Sequence, residues 1–298
     1  NFADALSLVT ASDQGYISLI LIQMQLGVEV REMLLRAFKT APLRSLGLIN
    51  NGMRSDLLFW GSDIVEFAVN ALKTNATLEC IDIRGNPIET EQDAISLMSA
   101  VNEHPTADAL ILDDCGLGQN DCGLGEKKAI MTCIVSALSN LREVSLGSNR
   151  IGSHGARLIA KCLASNPGIV VLSLKSNLLN DKDAYLLAKS LTKNTTLQKL
   201  RLTGNQIARI GVKALFRAIF NTRSFDDVYD SNHKCWVDVE DENLPVYNTS
   251  IDPKLNRDMK LLCVLTCFYK NNADPLNLTG VPIKVMPRVL AFIQSVLF

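Results

Sequence analysis

A short frame of apolar residues recurs six times along this chain, and it narrows the possible folds more than any other feature. Leu141, Val144, Leu146, Asn149 and Ile151 stand at offsets of 0, 3, 5, 8 and 10. Ile169, Leu172, Leu174, Asn177 and Leu179 repeat those offsets, as do Leu197, Leu200, Leu202, Asn205 and Ile207. These three copies open 28 residues apart. Leu78, Ile81, Ile83, Asn86 and Ile88 fit the same frame, and so do Leu43, Leu46, Leu48, Asn51 and Met53. Ala107, Leu110, Leu112, Cys115 and Leu117 fit it with Cys in the Asn place. Self-similarity at such a period marks stacked repeats, in which no unit can bury its apolar face alone.

The frame has a physical reading. Alternating Leu141, Val144 and Leu146 point to one side of a short strand, and the residues between them face solvent. The spacing predicts strands near 46–48, 81–83, 110–112, 144–146, 172–174 and 200–202, paired in parallel. Asn51, Asn86, Asn149, Asn177 and Asn205 turn the chain out of each strand, where a side-chain amide satisfies backbone groups the turn leaves unpaired. Cys115 holds that slot with weaker hydrogen-bonding chemistry. Helical patterns follow the strands. Ala156, Ile159, Ala160 and Leu163 sit at helical spacing behind Ser153, read as an N-cap, and Ala184, Leu187, Ala188 and Leu191 sit behind Asn180 or Asp181. Ala94, Leu97, Met98 and Val101 follow Thr90, and Pro105 ends that helix.

The frame LxxLxLxx(N/C)xL resembles that of leucine-rich repeats, and the period of 28 with a helical second half is similar to their ribonuclease-inhibitor-like class. The resemblance covers Leu43 to about Asn232. It implies an α/β fold: a right-handed horseshoe solenoid with a parallel concave sheet, convex helices and helical end caps. A degenerate copy precedes at Ile17, Ile20, Ile22 and Gln25. Another follows, with Tyr229 and Asn232 in frame but Ser224 and Asp227 at apolar positions. The expected organisation is an N-terminal cap or degenerate first repeat over 1–40, repeats over 41–232, and a helical C-terminal cap over 233–298, where the repeat is read as ended. Val28 to Phe38 reads as a helix, and Asp252–Pro253 opens another by N-cap and N1 logic. A last helix follows Pro287, and Leu262, Leu290 and Ile293 are expected to be buried against the final coils. The segments SNHKC and MPRVLAFI are similar to C-terminal caps of diatom-type leucine-rich-repeat proteins.

Composition bounds the partners. The 30 Lys and Arg against 31 Asp and Glu leave no basic footprint for nucleic acid, and no apolar run approaches the roughly 18 residues of a membrane span. The eight cysteines form no CxxC pair and fall largely on apolar helix positions. They read as free thiols in a reducing, cytoplasmic setting, with no zinc site. The chain starts at Asn1 rather than Met, so a targeting segment is not assessable from it.

Catalytic chemistry is hard to find. His104, His154 and His233 stand at helix ends or in solvated positions, and neither HExxH nor GxSxG occurs. The run Asp114–Gly118 recurs as Asp121–Gly125, with Lys127 and Lys128 nearby, but it matches no phosphate-loop motif and reads as a short duplication. Sequons stand at Asn75, Asn194, Asn248 and Asn277, of which the first two sit where repeats carry a helix-ending Asn and read as repeat chemistry; Leu57–Trp60 reads as a packed loop or an exposed apolar contact. The expectation is therefore non-catalytic, without cofactor or metal. What remains is the face of the strands away from the helices. There the frame places Asp82, Arg84, Asp113, Asp114, Glu143, Ser145, Ser173, Lys175, Lys199 and Arg201, acidic in the early copies and basic in the late ones. The leading reading is a scaffold binding a protein partner on this face, alone or as part of a larger chain. The alternatives are a sensor domain from an immune-type receptor and a Ran-type GTPase activator.

Overall fold

The computed structural model describes residues 17–24, 26–51, 61–118, 125–239 and 247–271, with positions 286, 287 and 290. Eight strands lie in one parallel sheet in chain order: β1 (Ile17–Ile22), β2 (Leu43–Ile49), β3 (Cys80–Asp82), β4 (Ala109–Ile111), β5 (Glu143–Ser145), β6 (Val171–Ser173), β7 (Lys199–Arg201) and β8 (Trp236–Asp238). Between them run α1 (Val28–Phe38), α2 (Gly61–Thr74), α3 (Glu91–Glu103), α4 (Gly125–Ala137), α5 (Ser153–Ala164), α6 (Asp181–Leu191) and α7 (Arg209–Ile219). A short α8 (Phe225–Asp230) precedes β8, and α9 (Pro253–Asn271) follows it. Crossovers between parallel neighbours wind right-handed. Helices pack about 8–10 Å apart and strands about 4.8 Å apart, so a stack with both layers bends with the sheet on the inside.

The frame residues build the core. Leu141, Val144 and Leu146, with Ile169, Leu172 and Leu174, are at most 1% exposed, and one buried apolar cluster runs from Leu21 to Cys235. Helix starts vary in their chemistry. Thr90 accepts a hydrogen bond from Asp93 N, and Asn180 forms a reciprocal capping box with Asp183. Ser153 is not a cap: Gly152 precedes α5 without a side-chain cap, and Ser153 Oγ instead reaches Asp183 Oδ2 across the coils at 3.0 Å.

The ends differ from the sequence reading in informative ways. β1 pairs with β2 from Ile17 to Ile22, so the first coil has both a strand and a helix. Strands β3 to β7 begin one residue before their expected positions, and β2 begins three before, at Leu43. At the other end the frame misleads. Ser224, placed at an apolar strand position, is the N-cap of α8, and the next strand is β8, paired to β7 from Lys199↔Trp236 to Arg201↔Asp238. The repeat therefore continues past His233. The inserted α8 displaces the strand by more residues than the frame allows. Helix α9 does pack on this end, through a second cluster of Phe220, Phe225, Val228, Leu261 and Leu265. Its buried face is Leu261 and Leu265 rather than Leu262, and Leu290 is 50% exposed. Ile293, Met53, Leu57–Trp60, Cys122 and Asn277 lie outside the described residues. Cys80, Cys115, Cys133, Cys162, Cys235 and Cys263 are free thiols.

Candidate functional site

The strand register defines the open sheet face row by row. One row runs Ser45, Cys80, Ala109, Glu143, Val171, Lys199, Trp236. The next runs Ile20, Gly47, Asp82, Ile111, Ser145, Ser173, Arg201, Asp238. A third, just past the strands, carries Arg84, Asp113, Gly147, Lys175 and Thr203, whose carbonyls or amides link neighbouring coils. The face thus begins apolar, with Ile20 57% exposed on the first strand, and ends on an indole.

Many of its charges are already partnered. Asp82 is buried and holds Arg84 through both carboxylate oxygens, at 2.6–3.0 Å, which raises the Arg84 pKa. Asp113 Oδ1 accepts from Ser145 Oγ and from Gly147 N, each at 2.6 Å. Lys175 Nζ lies 3.5 Å from Asp238, and Lys199 Nζ sits 4.6 Å from the centre of the Trp236 ring. Ser173 is buried. Asp114, exposed at a positive φ of 55°, and Glu143 and Arg201 make no ion pair among the described residues. The early-acid, late-base reading is modified by β8: Asp238 places a carboxylate among Lys175 and Arg201. Trp236 and Asp238 lie beyond the sequence reading, in which the frame stops at Asn232. The alternation of Cys235, Val237 and Val239, all buried or packed on the core, was the available signal.

Beside Trp236 a cleft of about 460 Å³ is lined by Val171, Lys199, Lys234 and the Asn248–Ile251 turn. The histidines stand elsewhere. His104 accepts from Ala107 N through Nδ1 at 3.1 Å and meets Asn75 O through Nε2. His233 Nε2 lies 3.0 Å from Tyr229 O. Burial pushes the thiols of Cys115 and Cys235 up to about 12, so neither is a nucleophile. Among the described residues no three His, Cys, Asp or Glu side chains converge as a metal site, and no helix is long and apolar enough to cross a membrane.

No curated protein matches the sequence. Among solved structures, the chain is similar to leiomodin-1 actin-binding site 2, at 12% identity over 73% of this chain and 95% of that one, with a TM-score of 0.33. It is also similar to the tropomodulin C-terminal domain of Caenorhabditis elegans, at 13% identity over 70% and 96%, with a TM-score of 0.35. A Bacteroides fragilis protein gives 11% identity over 74% and 62%, with a TM-score of 0.42. The Leucine Rich repeat family profile matches residues 137–160 and 193–216, which contain β5 with the start of α5 and β7 with the start of α7. With the frame repeated through one parallel sheet of strands alternating with helices, the chain is a leucine-rich-repeat protein.

Proposed function

We propose that the protein is a non-catalytic scaffold of the ribonuclease-inhibitor-like class, and that it binds a protein partner on the open sheet face. The observation that carries this is the continuous parallel sheet from β1 to β8, irregular in register at Ile17–Ser18, which fixes the rows of side chains before any partner arrives. Internal pairs such as Asp82–Arg84 and Lys175–Asp238 hold those side chains in place, so docking orders little. Asp114, Glu143 and Arg201 remain for the partner, and Trp236, with Lys199 stacked over its ring, supplies an anchor at one end. Tryptophan and arginine are enriched among residues that dominate binding energy.

The test uses a photo-crosslinking residue at Thr203 on the face, with the same residue at Lys189 on the exposed side of α6 as the comparison. In extracts of the source cells, Thr203 is expected to capture a partner that Lys189 does not. Reversing Lys199 and Arg201 to Glu should then slow association about tenfold at low salt and remove most of its salt dependence, because exposed charges act mainly on encounter. Capture from Lys189 alone, or association unchanged by the reversal, would overturn the reading.

A further inference from the structure

At the edge of the stack where strands pass into helices, a second cleft of about 490 Å³ opens across the coils of β4, β5 and β6. Its wall carries Lys127 and Lys128 from α4, and Arg150, His154 and Arg157 from the turn after β5 and the start of α5. We propose that this cleft binds a small polyphosphorylated anion, one with at least two phosphoryl groups.

Three observations meet there. First, no Asp or Glu stands among the cleft's described lining residues, and Lys128, Arg150 and Arg157 make no ion pair among the described residues. Lys128, Arg150 and Arg157 are all exposed and so free to reorient toward a ligand. Like charges held this close repel one another, and an anion relieves that repulsion. Second, His154 Nε2 is buried without a hydrogen-bond partner. Burial, Lys128 and Arg157 lower the pKa of this imidazole. An orphaned buried nitrogen carries a desolvation cost that a phosphoryl oxygen removes. Third, the 12-residue α5 starts on Gly152 with no side-chain cap and no acid in its first turn. Its positive dipole end and first-turn amides therefore face the same space.

Charge and size set the ligand class. The three exposed cations, with Lys127 beside them, exceed the charge of one phosphate dianion. The volume lies in the range of about 300–1,000 Å³ typical of small-molecule sites. Arginine forks suit planar, bidentate contact with phosphoryl oxygens. The cleft lies off the open sheet face, so this inference does not depend on the partner proposed above.

The probes are orthophosphate, pyrophosphate and inositol hexakisphosphate, titrated calorimetrically at low ionic strength. Pyrophosphate is expected to bind at least about tenfold more tightly than orthophosphate, since each added charge-assisted contact is strong. Tighter binding of pyrophosphate than of the inositol compound would point to a linear diphosphate source, and the reverse to a polyol phosphate; either supports the site. The double variant Arg150→Ala/Arg157→Ala should lose about tenfold or more in affinity. Lys189→Ala/Lys193→Ala, equal in net charge but remote, on and just past the end of α6, should lose less than about twofold. Imidazole resonances of His154 should show its pKa rising when pyrophosphate binds. Equal weakening by the two double variants, no binding by any probe, or an unmoved His154 would each overturn the proposal.

Discussion

The asparagine of each turn does two jobs with one side chain. Asn149 Nδ2 donates to Leu112 O at 2.6 Å and to Gly147 O at 3.0 Å, while its Oδ1 accepts from Cys115 N and Leu117 N at 2.8 and 3.2 Å. Asn177 serves the coil of Asn149 in the same way, donating to Leu146 O and accepting from Asn149 N and Ile151 N. Cys115 fills the slot poorly. Its thiol reaches Ile83 O at 3.4 Å, it has no side-chain oxygen, and Ile88 N turns to the Cys115 backbone carbonyl instead. Two predictions follow from the contrast. Asn149→Ala leaves two buried amides and the Leu112 carbonyl without partners, while Gly147 O keeps the Asp114 amide, and at roughly 1–3 kcal/mol for each unsatisfied group it should cost at least about 3 kcal/mol. Cys115→Ala should cost about 1 kcal/mol or less, since the backbone already does the work. Urea unfolding midpoints of the two variants check both; equal losses would remove the amide from the explanation. A second buried row, Asn75, Asn194 and Asn232, bonds carbonyls such as Phe38 O, Leu163 O and Leu191 O. The first row was legible because its spacing from the Leu frame is fixed within one coil. The second was legible only as a recurring helix-end Asn, because its carbonyl partners lie 31 to 41 residues away in sequence.

At the scale of elements, the closing helix is held by a charge that water would normally keep. Lys260 of α9 is 1% exposed. Its Nζ donates to Ile219 O at the end of α7, to Asn232 O at 3.0 Å and to His233 Nδ1 at 3.3 Å. Cations suit helix C-termini, where carbonyls lack partners. Burial nevertheless pushes this amine down from 10.5 to about 7, and His233, desolvated and facing Lys260, falls from 6.5 to about 4. For Lys260 the unfolded chain binds more protons between about pH 7 and 10.5, so stability should rise with pH across that window. For His233 the unfolded chain binds more protons between 4 and 6.5, so stability should fall as pH drops through that range. Lys260→Met should flatten the alkaline rise, a difference on the order of a few kcal/mol between the two ends of the window. Urea midpoints across pH for wild type and variant decide it; parallel slopes would count against Lys260. No local pattern could have announced this lysine. Its partners come from α7 and from the turn before β8, and the sequence reading had ended the repeat just before that turn. Helix α9 itself was legible, since Asp252–Pro253 is a local signal and Asp252 Oδ1 does accept from Lys254 N at 2.8 Å. Which of its faces is buried was not, because that depends on α8, an element outside the repeat.

Across the whole molecule, each coil touches mainly its neighbours, so stability is close to a sum of coils and interfaces. Such a stack is as sound as its ends. The main core closes on Cys235, and beyond it the second cluster joins Phe220, Phe225 and Val228 to Leu261 and Leu265 of α9. Deleting residues 252–298 would uncover those aromatic and aliphatic groups and leave Ile219 O and Asn232 O without the Lys260 ammonium. A contiguous apolar patch at the end of a parallel sheet is a surface on which a second copy can stack. The truncated chain is therefore expected to self-associate and to melt several degrees lower, with the loss concentrated in the last coils. Hydrogen exchange would show this directly, through lost protection in β7, α7 and β8 while β3 to β5 keep theirs. A monomeric truncation with unchanged melting and unchanged protection in β8 would mean that α9 is an independent module. The open sheet face would then end on Trp236 and Asp238 with no structural need for the helix behind them.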